Sequence, residues 1–297
     1  MRYPGTVLKT FQILARKELG QNFLTDPNTA RRIAEFAGIT GDDVVLEIGA
    51  GLGALTIHAA RMAQKVYAVE KDSRLTKHLA DEVAESGHSN VELINQDIFK
   101  VDIKSIARDT SGENPGKKLI VIGNLPYNIS SQVLFRLAEN REFISRAILM
   151  FQKELAERIC ASPGNRVYGR LSAVMQYCST VRIMMDVGGH LFFPRPDVES
   201  SVMEVDFFNE GSLSREKELL LFRIIKAAFS KRRKTLRNSL TGNELGIDRD
   251  TAEKALAMAA IDPSRRAETL GVEDFKKLCE AFHATGSISK LNCQIIN

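Results

Sequence analysis

Residues 44–56 read VVLEIGAGLGALT, and few folds accommodate that run. A short apolar stretch, an acidic residue at Glu47, and then Gly49, Gly51 and Gly53 opening an amphipathic segment describe a buried parallel strand that turns tightly into a helix. Glycine at these three places lets the backbone take φ > 0 and lets a ligand approach where a Cβ would block it. The expectation is a nucleotide-like ligand lying over the end of that strand.

The spacing fits two cofactor classes. Gly49-x-Gly51-x-x-Ala54 also matches the dinucleotide fingerprint in its Gly/Ala form, and an ordinary strand-to-helix turn would read the same way. Glu70 closes the next apolar run, KVYAVE, where a carboxylate can accept both hydroxyls of an adenosine ribose. NAD and S-adenosyl-L-methionine share that ribose, so the choice between them falls to the rest of the chain.

The rest of the chain alternates apolar runs with helical patterns. Strands are expected over 44–48, 65–70, 91–95, 118–123 and 146–152. Helices are expected from Asp26 to about Ala37, over 54–63, 73–86 and 130–140, from Lys153, and over 170–178. This order calls for a parallel sheet covered by helices. The last two apolar runs, VRIMMDV and SVMEVDFF, are joined without a crossover helix and suggest an antiparallel edge, which a plain NAD domain lacks. Beyond residue 208 strand signals stop. The patterns from Arg215 to Leu240, Asp248 to Ala260 and Val272 to Phe282 are helical. Residues before Gly20 read as polar or weakly structured.

Two short motifs carry chemistry. Asp97, in NQDIF, follows the third strand, where it either accepts from an adenine amine or simply caps a helix. Asn124-Leu125-Pro126-Tyr127 ends the fourth strand beside the glycine loop. Proline holds Leu125 extended, which aims the Asn124 oxygen and a backbone carbonyl into the cleft as two acceptors for an exocyclic amine. Tyr127 offers a face on which a base can stack, worth about 1–3 kcal/mol.

Glu47-x-Gly49-x-Gly51-x-Gly53, Glu70, Asp97 and Asn124-Leu-Pro-Tyr127 resemble, in order, the motifs of adenine-N6 methyltransferases that use S-adenosyl-L-methionine. GQNFL at 20–24, FFPRPDVESSV at 192–202, AFSKRRKTLRNSL at 228–240 and RAETL at 266–270 narrow the resemblance to the rRNA adenine N6,N6-dimethyltransferase family. That resemblance implies an α/β, Rossmann-like methyltransferase domain over 1–208, with 1–19 as an N-terminal extension. It implies a seven-stranded, mostly parallel sheet and a small all-helical rRNA-binding domain over 209–297. It assigns Gln21, Asn22 and Leu24 to the methionine end of the cofactor, Gly49 and Gly51 to its backbone, Glu70 to the ribose and Asp97 to the adenine. Asn124, which also counts among the cofactor contacts, and Pro126 would take the N6 hydrogens of the target, and Tyr127 and Phe192 would sandwich its ring.

The implied reaction is dimethylation of two adjacent adenosines near the 3′ end of 16S rRNA in small-subunit biogenesis. A large-subunit (23S) rRNA methyltransferase of the antibiotic-resistance type and a non-catalytic RNA-binding factor are the alternatives. Where the family commonly has a Pro-Pro pair and a lysine, this chain has Gly188-Gly189 and Asp197, and the glycines are expected to loosen the loop before Phe192.

The formal net charge is +4, which permits a polyanionic partner without requiring one. Its distribution is more telling: Lys231, Arg232, Arg233, Lys234 and Arg237 are expected on more than one face of a helix, gripping RNA phosphates. The four cysteines are too scattered for a local metal or redox pair, so no metal is expected. No apolar run approaches the roughly 20 residues that span a bilayer, and a cytoplasmic monomer is the expectation.

Overall fold

The computed structural model describes residues 3–110, 117–208, 213–231, 233–241 and 245–286. The chain divides into two compact units, one built from 1–156 with 180–209 and the other from 157–179 with 210–297. The second unit therefore takes residues 157–179 as well as the C-terminal helices expected of it.

In the first unit the strands are β1 (Phe23–Leu24), β2 (Val44–Ile48), β3 (Lys65–Val69), β4 (Val91–Ile94), β5 (Leu119–Asn124), β6 (Ile144–Gln152), β7 (Ser179–Val187), β8 (Phe192–Phe193) and β9 (Ser200–Phe207). Seven of them form one sheet in the order β4-β3-β2-β5-β6-β9-β7. The pairs from β4 to β6 are parallel, and β9 runs antiparallel to β6. The reversed strand is present as expected, although it lies one place in from the edge, which β7 occupies. All five residues of β2 are buried, as they must be in a strand covered on both faces.

The helices of this unit are α1 (Pro4–Thr10), α2 (Pro27–Phe36), α3 (Thr56–Ala60), α4 (Ser73–Ser86), α5 (Ile103–Thr110), α6 (Ser130–Glu139) and α7 (Lys153–Cys160), the last crossing into the second unit. Their ends follow local chemistry. Asp26 caps α2 by accepting from the Asn28 and Thr29 amides ahead of Pro27, and α4 runs from the Asp72 cap to Gly87 at φ 73°. Ile33, Ala59 and Leu79 pack with Val45, Ile120, Ile148 and Val202 in one apolar cluster. Removing such side chains from water is what holds the open ends of the strands in register.

The second unit contains α8 (Arg170–Cys178), α9 (Arg215–Ala228), α10 (Leu236–Ser239), α11 (Arg249–Met258) and α12 (Val272–Ala284). Phe275, Leu278 and Phe282 of α12 are fully buried. The Tyr177 and Phe222 rings meet edge to face at 5.7 Å, the arrangement aromatic quadrupoles favour. Among the described residues no helix is long and apolar enough to cross a membrane.

Of the basic residues, Arg237 lies on α10, but Lys231, Arg233 and Lys234 lie outside any helix. α9 ends at Ala228, Ser230 donates its hydroxyl back to the Ala227 carbonyl, and Thr235 is extended as the cap residue of α10. The serine hydroxyl thereby offers the backbone a partner other than the helical one. The Phe229 ring is meanwhile held 6.1 Å from Tyr168 and 6.0 Å from Phe275. Lys231, Arg233 and Lys234 are consequently exposed on a turn.

Candidate active site

The carboxyl ends of β2, β3 and β5 converge on a cleft of about 190 Å³ lined by Gly49, Gly51, Glu70, Asp97, Asn124 and Tyr127, among others. Gly49 and Gly51 have φ of 75° and 55°, a left-handed backbone that only glycine adopts cheaply. A Cβ on Gly49 would stand 3.4 Å from the Asn124 carbonyl oxygen and 3.7 Å from Pro126 Cδ, within the cleft wall.

Glu70 is 9% exposed, and burial pushes its carboxyl above the usual range while hydrogen bonds oppose the shift. Oε2 accepts from the Gly51 amide at 2.9 Å and Oε1 from the Asp72 amide at 2.8 Å. A carboxylate has about four lone-pair positions, so acceptor capacity remains for hydroxyl donors. Asp72 extends the chain of contacts: it accepts from Gln21 Nε2 at 3.1 Å and from Arg74 Nε at 2.9 Å. The Arg74 guanidinium, chiefly, holds its carboxyl down at about 2. Gln21 Oε1 in turn accepts from the Arg16 amide, so the segment before β1 is tied to the same acidic cluster. Asp72 was not expected at the site, and its only sequence signal was a helix-capping position two residues past Glu70.

Asp97 both lines the cleft and caps a short 3-10 turn through the Phe99 amide. Its other oxygen meets Lys71 Nζ at 2.8 Å. Hydrogen bonds and the positive charge of Lys71 leave its pKa lowered, against the burial that would raise it. The two readings of Asp97 open at the sequence level are thus compatible.

Asn124 donates through Nδ2 to the Asn22 carbonyl at 2.9 Å, so its amide oxygen faces away from that anchor. Pro126 and Tyr127 line the cleft beside it. The Tyr127 hydroxyl is 2.7 Å from Ser200 Oγ at the start of the reversed strand, which fixes the ring's orientation. Gln21 and Asn22 also line the cleft, together with the unanticipated Leu19, Lys71, Leu75, Ile98 and Phe99.

Phe192 is placed otherwise than expected. It is 4% exposed and packs in the apolar cluster under the sheet, and it is not among the side chains lining the cleft. Strand periodicity explains this. β1 and β8 form a two-stranded ribbon in which Leu24 faces Phe192 and Phe23 faces Phe193, and directly opposed residues share a face. Leu24 is therefore buried in the same cluster and lines a smaller neighbouring cavity with Glu47 and Gly49. Despite its two glycines, the preceding loop is pinned: the Leu191 carbonyl accepts from both the amide and the hydroxyl of Thr25. Of the basic residues expected to hold RNA, Arg237 has Nη1 3.7 Å from Glu253, and Arg232 lies outside the described residues.

Residues 13–283 match the model of the family described as ribosomal RNA adenine dimethylase. The chain belongs to that family. It is 60% identical to the ribosomal RNA small subunit methyltransferase A of Desulforapulum autotrophicum, covering 95% of this chain and 96% of the relative. It is 39% identical to the protein of the same name from Geobacillus thermodenitrificans, over 92% and 94% of the two chains. Among solved structures it is similar to a dimethyladenosine transferase from Plasmodium falciparum, with a TM-score of 0.74 and 27% identity over 89% of this chain and 98% of that one. It is also similar to the 23S rRNA methyltransferase ErmE, with a TM-score of 0.64 and 28% identity over 88% and 100%. The residues of this cleft fit the cofactor of such an enzyme. Glu70 keeps acceptor capacity for ribose hydroxyls, and the glycine loop leaves open a space that side chains would fill.

Proposed function

We infer that this chain uses S-adenosyl-L-methionine to dimethylate N6 of adenosine in 16S rRNA, at two adjacent adenosines near the 3′ end, during small-subunit biogenesis in the cytoplasm. The observation that carries the reading is the convergence of Glu70, Gly51, Asp97 and Asn124-Leu-Pro-Tyr127 on one cleft at adjacent strand ends. The names of the relatives above support 16S rRNA as the substrate. The helical unit, with Lys231, Arg233 and Lys234 exposed on one turn, suits binding of a phosphate backbone.

The cofactor supplies a sulfonium methyl group that is already strongly electrophilic. The chain's own task is alignment and exclusion of water, because the exocyclic amine of adenine is a weak nucleophile with its lone pair conjugated into the ring. Glu70 takes the ribose hydroxyls and Asp97 the adenine amine, with the Gln21 to Asp72 contacts closing the methionine end. The Asn124 oxygen accepts an N6 hydrogen, and with the neighbouring backbone carbonyl it favours positive charge as it develops on nitrogen. Tyr127 holds the target ring by stacking. The target must enter unpaired or flipped out of its helix. Each transfer breaks the sulfonium–methyl bond, releases S-adenosylhomocysteine and costs N6 one proton. The monomethylated amine therefore keeps one hydrogen and a lone pair, and one of the two acceptors can hold it for the second transfer.

The test is methyl incorporation from labelled cofactor into separated small and large subunits of an unmethylated strain. Label in the small subunit is expected, and label confined to the large subunit contradicts the assignment.

A further inference from the structure

The chain before α1 and the β1–β8 ribbon carry exposed aromatic surface that none of these roles uses. Tyr3 is 55% exposed and Phe193 is 36% exposed, and their rings pack at a centroid distance of 5.9 Å with planes tilted by 56°. Gly5, in the first turn of α1, makes room for the pair. A Cβ there would fall 2.7 Å from Tyr3 Cε1 and 3.4 Å from Phe193 Cζ.

The position of the pair is also informative. Phe193 stands directly opposite Phe23 in the β1–β8 ribbon, and Phe23 lines the cofactor cleft. Pro4, next to Tyr3, lines the smaller cavity together with Glu47, Gly49 and Asn124. Each exposed ring is thus next to a residue, Pro4 in the chain or Phe23 across the ribbon, that lines a cavity shared with Asn124.

A base that enters such a cleft leaves its neighbour in the strand without a stacking partner, and unstacking costs a few kcal/mol. An exposed aromatic surface at the entrance can return about 1–3 kcal/mol by stacking that neighbour. We propose that Tyr3 and Phe193 form a platform for the unpaired RNA base flanking the target adenosine. This rests on the reading of the chain as an rRNA adenosine methyltransferase. It adds that, in a substrate with two adjacent target adenosines, the base on the platform is the other adenosine while one of them is methylated and the next base along the strand while the second is. Phe192, buried, holds the ribbon in place, and its neighbour Phe193 meets the RNA.

The discriminating experiment compares aromatic with aliphatic replacements. Phe193→Leu and Tyr3→Leu keep apolar bulk and remove the ring, whereas Phe193→Tyr and Tyr3→Phe keep the ring. Steady-state methyl transfer is measured on small subunits from an unmethylated strain, with the melting temperature of each variant recorded alongside. The leucine variants should raise KM for the subunit by about 5-fold or more with kcat within about twofold, and the aromatic variants should match the unsubstituted chain. Equal KM for leucine and aromatic variants overturns the platform while leaving the methyltransferase reading intact. Loss of kcat in step with a fall in melting temperature also overturns it, because the rings would then serve only to hold α1. Failure of the unsubstituted chain to methylate small subunits overturns the underlying reading instead.

Discussion

Glu70 and Asn124 end the two strands that flank β2, and they are held in opposite senses. Glu70 is a buried carboxylate that accepts from two backbone amides. Asn124 is a neutral amide that donates to one backbone carbonyl. On the proposed function, where the partner would bring hydroxyl donors the fold buries a carboxyl and steadies it with N–H groups. Where the partner would be an amine that becomes briefly positive, the fold fixes an amide by its nitrogen and so presents its oxygen. Each side chain is oriented by the hydrogen bonds it makes to the protein, and works through those that remain.

The contrast can be broken most sharply at Glu70. Glu70→Ala should lower kcat/KM by about 100-fold or more, since it removes charge-assisted hydrogen bonds and leaves the Gly51 and Asp72 amides buried without their acceptor. Calorimetry should show cofactor binding lost and RNA affinity kept. Asn124→Asp is the complementary break. The carboxylate has no hydrogen for the Asn22 carbonyl, so the side chain turns away from its anchor, and kcat should fall by about 30-fold with cofactor affinity nearly unchanged in the same titration. At Tyr127 the expected effects are smaller and separable by steady-state kinetics. Tyr127→Ala should raise KM for the RNA substrate by about 10-fold through lost stacking. Tyr127→Phe, which keeps the ring and loses only the bond to Ser200, should raise it by about threefold.

The smallest effect concerns stability. Glu47, 1% exposed in β2, has its carboxyl pushed up to about 8, first by burial and with reinforcement from the Glu70 charge, the nearby Thr56 opposing the shift. Its folded value lies above the ordinary glutamate value of about 4.5, so the folded chain keeps a proton that the unfolded chain releases as pH rises. The associated stability is full below about 4.5 and is lost as pH climbs through about 8. Glu47→Gln should remove that slope. In thermal melts its advantage over the unsubstituted chain should grow by about 3 °C or more between pH 5 and pH 8.

Much of this was legible in the sequence wherever chemistry was local. Strand 44–48 and helix 73–86 fall at their expected ends because an apolar run, a capping Asp72 and Gly87 each mark a boundary by their own chemistry. Gln21, Asn22, Gly49, Gly51, Glu70, Asp97, Asn124, Pro126 and Tyr127 share one cleft because strand ends of a parallel sheet converge by topology. What was not legible depended on partners distant in sequence. α1, seven residues long, is too short to show helical periodicity, and Leu8 and Ile13 are buried in a cluster with Phe23 and Leu75, against which Leu52 also packs. Which of Phe192 and Phe193 faces inward follows from the pairing with β1, which lies about 170 residues earlier. The basic run looked helical because nothing local announced that Phe229 would be captured by Tyr168 and Phe275.

The central claim is that one cleft presents Glu70 to a ribose and Asn124 with Tyr127 to an adenine. A crystal structure with S-adenosylhomocysteine and adenosine monophosphate tests it directly. The ribose hydroxyls of the cofactor product should lie within hydrogen-bond reach of Glu70, and the adenine of the nucleotide should stack on Tyr127 with its amine at the Asn124 oxygen. A cofactor product seated out of reach of Glu70, or a nucleotide bound away from Asn124, would contradict the account.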